Sequence, residues 1–243
     1  MADADPLLIT RDGPVLHIGF NRPDRLNALT PEMHEGVIAA LRNAEGDREV
    51  RCVAFSGEGR AFCAGEDIGG GPRSLPERLR PRAVALDIGM GPVLLHEVTT
   101  AIRATPLPTV ALLHGHALGG GYDYATSCDF RVATQDCRFG DPRVHRALWA
   151  AEGWSYKLTR LIPQGHATRI ALLGEPLTGT EAYDIGLVHR LYPAGSDVRA
   201  EAQKLLTDLA GIDPETYAVT KRAIVDGLDL RYDAALAHRA RGL

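Results

Sequence analysis

Apolar residues along this chain fall into short runs separated by polar and glycine-rich turns, and the runs follow two different periods. "PVLHIGF" (14–20) is nearly continuous, and "RCVAFSG" (51–57), "TVALLHG" (109–115) and "DFRVAT" (129–134) repeat the type. Apolar runs of this length, bounded by turn residues, predict buried strands. Between the first two lies "TPEMHEGVIAALRNAEGD" (30–47), where Met33, Val37, Ile38 and Leu41 recur at helical spacing. Thr30 is placed to cap that helix and Pro31 to occupy its first position. "GPVLLHEVTTAIRATP" (91–106) predicts another helix, stopped before Pro106. The remainder reads as mostly helical up to a late strand, "LVHRLYP" (187–193), and two or three helices close the chain. Strands alternating with helices predict an α/β fold with parallel pairing. From Gly69 to about Gly91 the chain is rich in Gly, Pro and Arg with little period, and reads as a long excursion. No linker, low-complexity segment or clean sequence repeat divides the 243 residues.

Composition narrows the class. Apolar residues are 45% and charged residues 24%, ordinary for a globular domain, and the net charge is −4. Three of the 27 basic residues are lysine, and Arg73, Arg78, Arg80 and Arg82 form the one local basic cluster, so no nucleic-acid partner is expected. "MADADPLLITRDG" is acidic and lacks the basic segment and long apolar core of a secretion signal, and the apolar runs fall short of a membrane span. The expected setting is cytoplasmic, without a membrane partner. Cys52, Cys63, Cys128 and Cys137 show no CxxC pairing and read as reduced core residues rather than disulfides or zinc ligands. His114 and His116 share a strand face but have no further ligands in sequence, and no metal is expected.

The candidate chemistry begins with "HGHALGGGYDY" (114–124), where an apolar run meets three glycines and then Asp123. The segment has no GxGxxG, no GxxxxGK[ST] and no GxSxG, which argues against the standard phosphate loops and a nucleophile elbow. A strand followed by bare backbone amides and a helix start suits a phosphate or a developing oxyanion. "GRAFCAGEDI" (59–68) also follows a strand and offers a second such amide. Taken alone, the triple glycine equally serves tight helix–sheet packing, with Asp123 a surface carboxylate of the first turn.

Four stretches, "FNRPDRLNALTPEM", "GRAFCAGEDI", "HGHALGGGYDYATSCDFRVATQD" and "TGTEAYDIGLVHRL", in this order and spacing, resemble the crotonase (enoyl-CoA hydratase/isomerase) superfamily over nearly the whole chain. The resemblance implies a spiral of ββα units over residues 1–193 and a helical C-terminal region over 194–243. It implies acyl-CoA thioester substrates, coenzyme A entering only as part of the substrate with no other cofactor, and a homotrimer or dimer of trimers. It assigns the oxyanion-hole amides to Glu66 and Gly120; a glutamate at position 66 departs from the small residue common there. Of the two hydratase carboxylates, the first position is Asp123 and the second falls on Arg143, a departure that puts simple hydration in doubt. Arg25, Ala64, Asp67, Ile68 and Gly69 are expected to line the coenzyme A site, with Arg143 and His145 at the acyl end. The arginines of 73–82 are candidates for its phosphates or, by default, solvated loop residues.

Glu152, in "WAAEGW", offers a replacement acid. The dienoyl-CoA isomerases are most similar in site pattern, with an aspartate after the triple glycine, a "TQD" after the next strand and an acid after two alanines. Two carboxylates with separated pKa values can move a proton between carbons of an acyl chain. The expectation is therefore isomerisation with Asp123 and Glu152 exchanging protons. The alternatives are enoyl-CoA hydration, hydrolytic C–C cleavage of a β-diketone using Glu152 or His145, and a catalytically degenerate CoA-binding scaffold. For individual residues, Glu152 also reads as a helix N-terminal acid, Arg143 as a salt-bridge partner and His145 as a structural histidine.

Overall fold

The computed structural model describes residues 5–67, 90–148, 153–227 and 229–237. Its main sheet has six strands: β1 (Leu7–Asp12), β2 (Val15–Phe20), β3 (Cys52–Gly57), β4 (Thr109–Leu113), β6 (Phe130–Thr134) and β9 (Arg190–Tyr192), in the spatial order β1-β2-β3-β4-β6-β9. From β2 onward every neighbour is parallel, as predicted, with Val15 opposite Cys52 and Val53 opposite Thr109. The edge strand β1 is the exception, pairing antiparallel with β2. A second, smaller sheet holds β5 (His116–Leu118), β7 (Arg138–Gly140) and β8 (Leu177–Thr178), with β5 and β7 parallel and β8 antiparallel.

The chain alternates between the sheets. It leaves β4 for β5 and then enters helix α3 (Gly120–Ser127), and it leaves β6 for β7. The segment after β3 behaves likewise: Cys63 bridges Ala117 in parallel, so residues 61–66 run alongside β5. A turn of this path, one strand per sheet and a helix, is the ββα unit of the crotonase-type spiral.

Helix α1 (Pro31–Gly46) starts where the sequence predicts, with Met33 N donating to Thr30 Oγ1 at 3.4 Å. It packs against α2 (Met90–Ala104), and both cover one face of the main sheet. The core there includes Phe20, Met33, Leu41, Phe55, Val98, Ile102 and Leu113. The opposite face, through Val15, Cys52, Ala54, Val110, Leu112 and Val132, is covered by α7 (Val198–Ala210) through Ala202, Leu205, Leu206 and Leu209. Burying both faces of a parallel sheet explains why its strands read as continuous rather than alternating apolar runs.

Between these lie α4 (Trp154–Leu161), α5 (Gln164–Thr168), a π turn (Arg169–Leu173) and α6 (Gly179–Asp184), and the last described elements are α8 (Pro214–Gly227) and α9 (Tyr232–Ala237). All four cysteines are buried free thiols, and burial pushes Cys52, Cys128 and Cys137 up to about 12. Among the described residues no helix is long and apolar enough to cross a membrane.

Candidate active site

Three loops meet at one edge of the small sheet. Asn27 organises the first. Its φ is +57°, its side chain is fully buried, and its amide donates to the carbonyls of Glu58 (2.9 Å) and Ala61 (2.7 Å) while accepting from Arg22 N. The second loop, 61–67, is laced on both sides. Cys63 N donates to His116 O and Leu118 N to Cys63 O on one side; Leu29 N donates to Gly65 O and Asp67 N to Leu29 O on the other. Arg22 closes the seam with an ion pair to Asp67 at 2.9 Å.

The third loop is the triple glycine, and its residues have separate reasons. Gly119 has φ +53°, a region a side chain rarely tolerates. A Cβ on Gly121 would lie 2.5 Å from Cys63 O and 2.7 Å from Cys63 Cβ, so the second loop presses directly on it. A Cβ on Gly120 would lie 2.7 Å from Glu66 Oε1 and 3.0 Å from Leu29 Cδ1. Gly65, at φ +102°, completes the contact, since a Cβ there would stand 3.3 Å from Gly120 N. The packing and oxyanion readings of this segment are thus compatible.

This approach sets the start of α3 beside Glu66 of the second loop. Among the described residues neither the Glu66 nor the Gly120 N–H donates to a carbonyl of a loop or turn. The first amides of a helix have no acceptor inside it. Two backbone donors from neighbouring loops, one at a helix start, can hold one developing negative oxygen.

Asp123 lies in the first turn of α3 with no exposed surface. Arg143 Nη2 donates to Asp123 Oδ2 at 2.7 Å and also to Asp141 Oδ2 at 2.7 Å, while Arg143 Nε donates to Asp141 Oδ1. Lys157 Nζ stands 3.9 Å from Asp123 Oδ1 and donates to Ser127 Oγ at 3.0 Å. Asp141 caps the turn Pro142–Arg146 that carries Arg143 and His145, accepting from Arg143 N at 3.2 Å. Asp123 is thus an interior carboxylate faced by two cations, and Arg143 has the salt-bridge role, its guanidinium reaching both Asp123 and Asp141.

The other sequence-named residues separate. Ala64 and Asp67 lie on the 61–67 loop, and Ala64 N is tied to Leu26 O at 2.9 Å. Arg25 is exposed on the turn Pro23–Arg25, three residues from Arg22, whose ion pair engages Asp67. His145 is exposed and its ring lies against Gly174, where a Cβ would meet His145 Nε2 at 2.9 Å. Glu152, Ile68, Gly69 and the arginines at 73, 78, 80 and 82 lie outside the described residues. A cavity of about 490 Å³ lies away from the paired amides, between α3, α4 and α8, lined by Ser127, Lys157, Tyr217 and Ile224.

Sequence reasoning missed two residues of this site. His34, on the apolar face of α1, is buried; its Nδ1 lies 2.8 Å from the Tyr124 hydroxyl and its Nε2 3.2 Å from Glu66 Oε2. Tyr124, also buried, stacks on His34 with ring centroids 5.8 Å apart. The signal was present: a histidine adjoining Met33 and one helical turn before Val37 and Ile38 lies inside the apolar stripe, where a polar group needs a partner.

Residues 10–242 match the sequence family described as enoyl-CoA hydratase/isomerase. The short-chain-enoyl-CoA hydratase of Clostridium acetobutylicum is 28% identical over 232 residues, covering 95% of this chain and 85% of that protein. The peroxisomal Δ(3,5)-Δ(2,4)-dienoyl-CoA isomerase of Arabidopsis thaliana is 27% identical over 236 residues, covering 94% and 84%. Among solved structures, an enoyl-CoA hydratase from Bacillus anthracis superposes with a TM-score of 0.84 at 25% identity, covering 96% of this chain and 87% of that one.

Proposed function

Since the chain belongs to the enoyl-CoA hydratase/isomerase family, we propose that it isomerises the double bond of an enoyl- or dienoyl-CoA through a thioester enolate. Relatives named as hydratases match it at 28% and 33% identity and the dienoyl-CoA isomerase at 27%, so the preference for isomerisation rests on the site and not on the relatives. The observation that carries it is the pair Arg143–Asp123 at 2.7 Å. Hydration by two carboxylates needs both acids to hold one water. Here the second position is a guanidinium and the first acid is bound to it, so the water clamp expected at these two positions is missing, and hydration would have to use Glu152 as its second acid. Proton transfer along an acyl chain makes no such demand; it needs a held oxyanion and a carboxylate that gives back the proton it takes.

In this reading the amides of Glu66 and Gly120 hold the thioester oxygen as charge develops, and loss of one such donor costs about 10²–10³ in rate. Asp123, faced by Arg143 and Lys157, and Glu152 are the carboxylates that exchange protons with the acyl chain. Coenzyme A enters as part of the substrate, along Arg25, Ala64 and Asp67, and the written reaction consumes no other cofactor. A homotrimer or dimer of trimers belongs to the same reading and is checked by sedimentation.

The test is turnover in D₂O followed by mass spectrometry, with 2-enoyl-, 3-enoyl- and 2,4-dienoyl-CoA and a cyclic β-diketone as the panel. Isomerised product carrying solvent deuterium, reduced in Asp123→Asn and Glu152→Gln, supports the reading. Product heavier by one water replaces it with hydration or hydrolysis.

A further inference from the structure

We propose that the side chain of Glu66, and not only its amide, takes part in catalysis: its carboxylate is the proton-transfer group at the thioester α-carbon, with His34 as its positioning residue. The inference rests on the enolate reading above and narrows it: the two amides keep their role, and on a 3-enoyl thioester Glu66 takes the proton transfer in place of Asp123 and Glu152.

The geometry is specific to each oxygen. Glu66 Oε1 lies so close to Gly120 that a Cβ there would stand 2.7 Å from it, which puts this oxygen beside one of the two oxyanion amides. Glu66 Oε2 is held 3.2 Å from His34 Nε2. A thioester oxygen received by the Glu66 and Gly120 amides has its α-carbon two bonds away, within reach of a carboxylate on this rim. The Glu66 side chain is 38% exposed, whereas that of Asp123 is wholly enclosed, so Glu66 is the one of the two that opens toward an entering ligand.

His34 fixes the orientation because both of its ring nitrogens are engaged, Nε2 with Glu66 and Nδ1 with Tyr124. Burial pushes the Tyr124 phenol well up, so Tyr124 stays a neutral hydroxyl. A carboxylate oxygen only accepts, so in the hydrogen bond to Glu66 Oε2 the proton belongs to Nε2, and in a neutral ring Nδ1 then accepts from the Tyr124 hydroxyl 2.8 Å away. With Oε2 occupied as an acceptor, Oε1 is the oxygen left to take a proton.

The step balances without a further reactant. On a 3-enoyl thioester, the α C–H bond breaks and an O–H bond forms at Oε1. The C–H electron pair enters a dienolate whose negative oxygen the two amides hold. The same proton then returns to the γ-carbon: the O–H bond breaks, the former β,γ π pair forms the new C–H bond, the α,β double bond forms and the thioester C=O is restored. Glu66 ends ionised as it began. One group serving both carbons carries part of an α-deuterium label to the γ-carbon, which a separate donor and acceptor do not.

The experiment uses the full chain with α-deuterated 3-enoyl-CoA in H₂O, and acetoacetyl-CoA as a probe whose enolate is read by ultraviolet absorbance. Glu66→Gln, Glu66→Asp and His34→Gln are compared with wild type, with thermal melts as the folding control. Glu66→Gln is expected to lower kcat by about 10²–10⁴ with KM little changed, since both amides remain. Glu66→Asp recovers part of it, wild type carries label from α to γ, and His34→Gln shifts the acid limb of the kcat–pH profile. If wild type turns over and folded Glu66→Gln keeps kcat within an order of magnitude, the assignment of Glu66 falls and the enolate reading stands. If wild type neither isomerises the substrate nor gives the enolate band, both fall together. Should His34→Gln fail to fold, the exposed Glu66 variants decide alone.

Discussion

Arg143 Nη2 lies 2.7 Å from Asp123 Oδ2, and the two residues, twenty apart in sequence, meet because α3 and the turn after β7 leave adjacent strands of the small sheet. Asp123 is fully buried and the Arg143 side chain is 14% exposed, so the pair exists largely out of water. Removing one member of such a pair costs about 3–5 kcal/mol, because the other charge is left behind. Lys157, 3.9 Å from Asp123, offsets part of that loss. Arg143→Met is therefore expected at the lower end of that range by urea denaturation, and Arg143→Met with Asp123→Asn is expected to lose less than the sum of the singles. Additive losses would show that the two charges do not depend on each other.

Gly120 and Gly121 separate catalysis from folding. At Gly121 a methyl group meets the backbone oxygen of Cys63 at 2.5 Å, which cannot move without opening the second loop. Gly121→Ala is expected to be destabilised by several kcal/mol or to be insoluble, as overpacking against backbone predicts. At Gly120 the nearest atom is the far end of a flexible Glu66 side chain. On the proposed role of its amide as an oxyanion donor, Gly120→Ala is expected to melt close to wild type while losing about 10²–10³ in kcat. Equal thermal shifts in the two variants would contradict the assignment.

Acid sensitivity has an identifiable source in His189. Burial and then the positive charge of Arg131 lower its pKa to about 4, while its Nδ1 accepts from Arg131 N at 3.2 Å. The folded form thus binds a proton less readily than the unfolded chain, where histidine titrates near about 6.5. Its contribution is fully present above that pH and is lost as pH falls toward about 4, because the unfolded state binds the proton first. The ring is partly exposed, which damps the size but not the sign. His189→Asn keeps an acceptor for Arg131 and removes the titration. Urea midpoints measured between those two pH values should fall more steeply for wild type than for the variant.

What was legible in the sequence follows from how much each element buries. The α1 cap at Thr30 was readable from its residue type, and the parallel strands β2, β3, β4 and β6 because each lies under helices and is mostly apolar. Strand β1 was not assigned: its short apolar start, Leu7 to Ile9, runs straight into Thr10, Arg11 and Asp12, only Leu7 is buried, and the strand is held by its ladder to β2. The small sheet was missed for another reason, its strands being two or three residues long, too short for any period to show. Its consequence is the site itself, since that sheet brings Arg143 to Asp123 and Cys63 to Gly121. The glycine loops were visible as candidate amide donors, and the residues that would hold them were named from resemblance. His34 and Tyr124 were not named, because a contact ninety residues apart depends on α1 lying across the start of α3.

The docking of α8 depends on one carboxylate, and the two sides of its ion pair should not be equally sensitive. Asp129 Oδ2 accepts from Thr109 N and Thr109 Oγ1, each at 2.9 Å, from Tyr217 OH at 3.2 Å and from Lys221 Nζ at 2.8 Å. Lys221, 7% exposed at its side chain, has Asp129 and the Leu107 carbonyl at 3.1 Å. Removing the lysine leaves Asp129 with three donors, two of them on Thr109. Removing the carboxylate leaves a buried ammonium with one carbonyl and leaves the Tyr217 hydroxyl unsatisfied. An uncompensated buried charge costs about 3–5 kcal/mol, whereas a lost hydrogen bond to a charged group costs about 1.5–3. Asp129→Ala is thus expected to cost clearly more than Lys221→Met, with hydrogen exchange in α8 rising in both and most in Asp129→Ala. If Lys221→Met proves the costlier change, the helix is held by the lysine's packing against Leu107 and not by the network around Asp129.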